Sequence, residues 1–154
     1  MVHTGFLLEK RPLRTTRVFL FGTDSESDAL MVFGIGTDIF KKSRLIKFDG
    51  ANPDPFYLKV FTCEELSQAR LRSDSDNYLA SRFAGKEAVF KCFGIDGNRV
   101  RLNEIEILTS DFGIPVVSLS GSLKMIASQI GIERIHISLS YDEDSFVAVA
   151  VAEG

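Results

Sequence analysis

The run from Tyr78 to Gly94, Y-L-A-S-R-F-A-G-K-E-A-V-F-K-C-F-G, constrains this chain more than any other stretch. Its spacing predicts a helix: Leu79, Phe83, Ala84, Ala88, Phe90 and Cys92 supply an apolar stripe, and Gly94 is the stop. Glu87 and Lys91 stand four residues apart, so both side chains leave one face of that helix. Arg82 precedes Lys86 by four and extends the polar ridge back by a turn. One reading is a surface helix laced with an i,i+4 ion pair worth about 0.3–0.5 kcal/mol. The other is a ridge that faces a ligand.

Composition narrows the partners. A chain of 154 residues is long enough for one domain with a real core. A net charge of -3 argues against nucleic acid, whose binders carry a positive excess. No run is long enough to span a bilayer, so no membrane partner is expected. With His3 and His136 as the whole histidine complement, a multi-histidine zinc centre is excluded. Cys63 and Cys92 lack metal-ligand spacing, and Cys92 reads as a small core residue in a reducing compartment. The thirteen Phe point to core or apolar walls.

Residues 1–30 read as an N-terminal extension. Arg11, Arg14 and Arg17 precede a short apolar run, Val18 to Phe21, and a polar stretch follows. A secretory signal needs a longer apolar segment. The basic start leaves an organelle-targeting peptide open, though Glu9, Asp24, Glu26 and Asp28 argue against a clean one, and an extra strand with a loose tail is the plainer expectation. Residues 31–154 form the domain. Met31 to Ile39 is a strand whose Gly34 and Gly36 mark close backbone approach, with Asp38 at its end. Lys41 to Phe48 is basic with helical spacing, Ala51 to Pro55 a turn and Phe56 to Val60 a short helix. Thr62 and Glu65 form a capping box for a helix to about Arg72. After the central helix, Asp96-Gly97 is a turn pair. Two hairpins, 105–119 and 135–152, flank a helix over Gly121 to Gly131. The class is α+β, with an antiparallel sheet packed against a long helix.

Asp38 and Glu87 are the polar groups that fit least well into packing alone. Two carboxylates far apart in sequence are the least a protein contributes to a magnesium site, because Mg2+ keeps waters and takes substrate phosphate oxygens. Lys86, Lys91 and Arg82 beside such an ion would face phosphate as charged donors. Asp38 as a simple cap, and Lys41 and Lys42 as solvated surface, remain the alternatives. G-I-G-T-D lacks both a third glycine and a Walker lysine, which removes dinucleotide and P-loop readings.

G-I-G-T-D-I-F at 34–40, K-V-F-T-C-E-E-L at 59–66, R-F-A-G-K-E-A-V-F-K at 82–91, G-I-P-V-V-S-L-S-G at 113–121 and I-H-I-S-L-S-Y at 135–141 resemble the holo-acyl-carrier-protein synthases. These are the small bacterial-type members of the 4'-phosphopantetheinyl transferases. The resemblance covers Met31 to Glu153 and implies transfer of the phosphopantetheine arm of coenzyme A to a serine of apo-acyl carrier protein. Adenosine 3',5'-bisphosphate is the other product. It implies Asp38 and Glu87 as carboxylates for Mg2+ or Mn2+, and Lys91 on the transferred phosphate. Lys86 is expected near the nucleotide, Arg82 on coenzyme A, and Ser138, Ser140 and Tyr141 on the strand lining the coenzyme site. Arg44, with Lys41 and Lys47, should meet the acidic carrier. The family's assembly implies a cytoplasmic homotrimer, with one subunit supplying the Asp38 and Glu87 groups and a neighbour the late strand. Tyr141 departs from the family's histidine and cannot carry protons near pH 7. That departure keeps open a non-catalytic protein that binds the carrier or coenzyme A, while a structural trimer without ligand leaves the two carboxylates unexplained.

Overall fold

The antiparallel register of the sheet organises everything around it. In the computed structural model, which describes residues 31–95 and 101–154, β1 (Val32–Lys41) pairs with β5 (Ser145–Glu153), and β5 pairs with β4 (Arg134–Asp142). The resulting order is β1-β5-β4. A second hairpin, β2 (Ile105–Thr109) with β3 (Pro115–Leu119), forms its own two-stranded sheet. Both hairpins read from alternation are present. The central helix is α3 (Ser75–Cys92), preceded by α1 (Pro55–Val60) and α2 (Cys63–Arg70) and followed later by α4 (Gly121–Ile130).

Strand alternation gives the large sheet two unlike faces. Phe146, Ala148, Ala150 and Ala152 of β5 point to α3 and are fully buried, with Phe40 beside them. Small side chains there let the helix lie close. The closest approach is at β1: a Cβ on Gly34 would collide with the Cys92 carbonyl oxygen, and one on Gly36 with that of Ala88. The helix and the strand meet backbone to backbone, as the two glycines predict. On the other face Ile35, Ile39 and Val149 stand exposed.

Packing on so many sides makes α3 apolar around most of its circumference. Tyr78, Leu79, Ala80, Ala84, Ala88, Val89, Phe90 and Cys92 are all buried, a broader surface than the expected stripe, and Phe83 is only half-buried. A second core cluster gathers Phe48, Tyr57, Phe61, Leu66 and Leu79 between α1, α2 and α3. Most of the described phenylalanines fill or pack against these interiors, whereas the exposed sheet face is walled by Ile and Val.

The capping box is as read: Thr62 Oγ1 accepts from Glu65 N at 3.2 Å, and Thr62 N donates to Glu65 Oε2 at 2.9 Å. Two local expectations need correction. Asp38 lies inside β1, three positions before its end, because the strand continues to Lys41. The basic segment after it makes only one 3-10 turn, Lys42–Arg44. Asp144, from the β4–β5 turn, pins that segment by accepting from Ser43 N and Ser43 Oγ at 2.9 and 2.8 Å, and its carbonyl takes Lys42 N. The expected extra strand in residues 1–30 and the turn at Asp96-Gly97 lie outside the described residues.

Candidate active site

The glycine-mediated contact between β1 and α3 sets Asp38 against one helical face. Asp38 shares its face of β1 with Gly34 and Gly36, so it points to the helix. Lys91 reaches it directly: Nζ lies 2.8 Å from Asp38 Oδ1 and donates to Thr37 O at 2.8 Å. Glu87 lies one turn before Lys91 on the same side. Its carboxyl is pushed above the usual glutamate range, first by burial and then by the Asp38 charge, with Lys91 and Arg44 pulling the other way. The i,i+4 pair between Glu87 and Lys91 that the surface-helix reading requires is absent among the described residues; Lys91 pairs across to the strand instead. Glu87 is left without a salt bridge among them.

This donor set fits a small hard cation. Asp38 and Glu87 offer carboxylate oxygens, and among the described residues no group of three or more His, Cys, Asp and Glu gathers to make a closed cage. Two protein ligands leave the remaining positions to water and phosphate, which is how Mg2+ is commonly held.

Arg44 follows β1 with its guanidinium over the Phe40 ring, 5.4 Å from the centroid, and is exposed together with Lys41 and Lys47. Of the three, Arg44, in the 3-10 turn after β1, acts on Glu87; Lys41 ends β1 on the face opposite Asp38, and Lys47 lies in the loop beyond.

Arg82 belongs to a different surface. It lines a cleft of about 470 Å3 with Tyr78, Thr109, Leu139 and Tyr141. Its guanidinium stacks on the Tyr78 ring at 4.2 Å and donates to Thr109 Oγ1 and Ser81 Oγ, while its buried Nε has no partner among the described residues. Arg82 and Glu87 lie roughly 140° apart around α3, at 100° per residue, so one helix presents them to opposite sides. Tyr141 is exposed, its ring stacked on Phe146. Ser138 also borders the cleft, through the open edge of β4. Pairing with Val149 and Val147 turns the Ser138 and Ser140 side chains to the face away from α3.

Lys86 is the residue whose position differs most from expectation. It is not on an accessible ridge but fully buried, with Nζ 2.7 Å from Glu65 Oε2 and donating to the Leu102 and Ile105 carbonyls. Glu65 also accepts from Ile107 N at 2.9 Å. Burial pushes the Glu65 carboxyl up and the Lys86 ammonium down, each partner's charge opposing the shift. The sequence pattern marks Glu65 only as a capping residue. The signal for its second role is that a capping carboxylate keeps lone pairs free for a buried cation.

Residues 34–150 match the sequence model of the 4'-phosphopantetheinyl transferase superfamily. A holo-[acyl-carrier-protein] synthase of Natranaerobius thermophilus is 37% identical over 121 residues, covering 79% of this chain and 97% of the relative. The crystal structure of the holo-[acyl-carrier-protein] synthase from Neisseria meningitidis superposes with a TM-score of 0.70 at 36% identity, over 80% of this chain and 100% of that one. The Bacillus anthracis holo-(acyl-carrier-protein) synthase, in complex with coenzyme A (3',5'-ADP), matches with a TM-score of 0.63 at 29% identity, over 81% and 98%. The chain belongs to the 4'-phosphopantetheinyl transferase superfamily, as an enzyme of its holo-[acyl-carrier-protein] synthase family.

Proposed function

We propose that this enzyme transfers the 4'-phosphopantetheine arm of coenzyme A to a serine hydroxyl of apo-acyl carrier protein, releasing adenosine 3',5'-bisphosphate. The observation that carries the reading is that Asp38 of β1 faces α3 and pairs with Lys91, one helical turn from Glu87, whose carboxyl feels the Asp38 charge. Asp38 and Glu87 would hold Mg2+ or Mn2+, which when bound neutralises charge on the pyrophosphate oxygens. Lys91 is the charged donor nearest the transferred phosphoryl group. Arg82, whose Nε has no partner among the described residues, and Tyr141 bind other parts of coenzyme A. Tyr141 donates a hydrogen bond but does not relay protons near neutral pH, so the serine proton leaves by another route. Exposed Arg44, Lys41 and Lys47 steer the acidic carrier towards Asp38.

The assembly we propose is a cytoplasmic homotrimer whose sites lie between subunits. Two features support it: Ser138 and Ser140 face away from the Asp38 side of their own sheet, and the same face exposes Ile35, Ile39 and Val149. No helix among the described residues is long and apolar enough to cross a membrane.

The test is to incubate the full chain with coenzyme A, Mg2+ and an apo-carrier, then weigh the carrier. A mass gain equal to one phosphopantetheine arm is expected. No gain across several carriers would leave a binding protein of the same fold.

A further inference from the structure

The Lys91 ammonium holds an Asp38 oxygen for which a divalent cation on that carboxylate would compete. It also takes the Thr37 carbonyl, while Glu87, one turn away, has no salt bridge among the described residues. A structural strut is a poor account of this contact. The β1–α3 packing is already fixed by backbone contact at Gly34 and Gly36, with the Lys91 stem lying over Gly36. The pair sits at the accessible margin of that packing, with the Lys91 and Asp38 side chains 28% and 17% exposed. A flexible, strongly hydrated ammonium on a four-carbon stem is suited to leaving one anion for another.

We propose that Lys91 is an exchangeable counter-ion: it occupies Asp38 in the free enzyme and moves to the pyrophosphate of coenzyme A when the divalent ion takes its place. The inference rests on the reading of Asp38 and Glu87 as the metal carboxylates. Its consequence is coupling. Metal alone must displace Lys91 from Asp38 and leave it without an anion, so metal alone binds weakly. Coenzyme A supplies the anion that receives the ammonium, so each ligand strengthens the other by the same factor. The enzyme thereby takes up the ion and coenzyme A as a unit, and Asp38 stays neutralised between turnovers.

The experiment is Mn2+ binding to the full chain, followed by the electron paramagnetic resonance signal of free Mn2+, with and without coenzyme A and with no carrier present. Lys91→Met should bind Mn2+ alone about tenfold more tightly than the unaltered chain, and coenzyme A should add little further. Lys91→Arg, which keeps the charge, should stay within about twofold of the unaltered chain without coenzyme A. If Lys91→Met binds Mn2+ no better than the unaltered chain, the exchange is overturned while the metal site stands. Asp38→Asn separates the two ideas: Mn2+ binding undiminished in that variant would overturn the metal reading itself.

Discussion

Two lysine–carboxylate pairs lie little more than a turn apart on α3, and they have opposite characters. Lys86–Glu65 is sealed in the core, both side chains 0% exposed, and every remaining donor and acceptor is drawn into the backbone of neighbouring elements. Lys91–Asp38 has similar length but lies at an accessible margin, beside a second carboxylate with no salt bridge of its own among the described residues. Sequence spacing cannot tell these lysines apart. Their surroundings do: the first is held by too many partners to move, and the second has a partner that can be exchanged. A buried pair of the first kind fixes structure, and breaking one member leaves an uncompensated charge. The second kind is chemistry held in readiness.

The largest expected effect breaks the comparison on the site side. Glu87→Gln should lower turnover roughly a thousandfold, since loss of metal-held charge stabilisation removes several kcal/mol at about 1.4 kcal/mol per decade. The same change should raise the melting temperature of the metal-free protein at pH 7. Glu87 has a raised folded pKa, so its contribution to stability is complete below the unfolded value and is lost as pH rises through the folded one. At pH 7 the ionised group therefore costs stability, and Gln removes that cost. Thermal unfolding at pH 7 and pH 4 checks it: the gain should vanish on acidification, and a fall in melting temperature at pH 7 would contradict it.

The next effect sharpens the contrast on the core side. Lys86→Met alone should destabilise by about 3–5 kcal/mol in urea unfolding, and much of that should return in the double variant Lys86→Met with Glu65→Leu. Truncating Lys91 to Met should cost at most about 1 kcal/mol, because the pair is partly hydrated. Equal costs at the two lysines would dissolve the distinction. Between these two, Gly36→Ala should cost about 1–3 kcal/mol, as its Cβ drives Ala88 and the helix off β1. It should also weaken Mn2+ binding, because Asp38 and Glu87 separate; unchanged binding would show that the close approach does not set the site.

Much of this was legible in the chain. The glycines of β1 announced a backbone approach, and the capping box and both hairpins follow from local chemistry that tertiary contacts did not override. Asp38 and Glu87 could be singled out as polar groups in small-residue surroundings. The burial of Lys86 is not legible in the sequence, because a period of 3.6 shows which residues share a face, not how many faces are covered. On α3 packing from several sides buries most of the circumference. The basic segment after β1 failed as a helix for a different reason. Asp144, remote in sequence, claims its backbone and side-chain donors, and no local pattern encodes that partner. Nor could spacing show that Lys91 would prefer a strand carboxylate to the Glu87 on its own helix.

The most direct measurement is anomalous diffraction at the manganese edge from crystals of the full chain grown with Mn2+ and coenzyme A. A single peak bridging the Asp38 and Glu87 carboxylates, with the pyrophosphate on its open side and the Lys91 ammonium moved from Asp38 to phosphate, is the expected result. A bound coenzyme A whose manganese is held by other residues, with Asp38 still paired to Lys91, would contradict it.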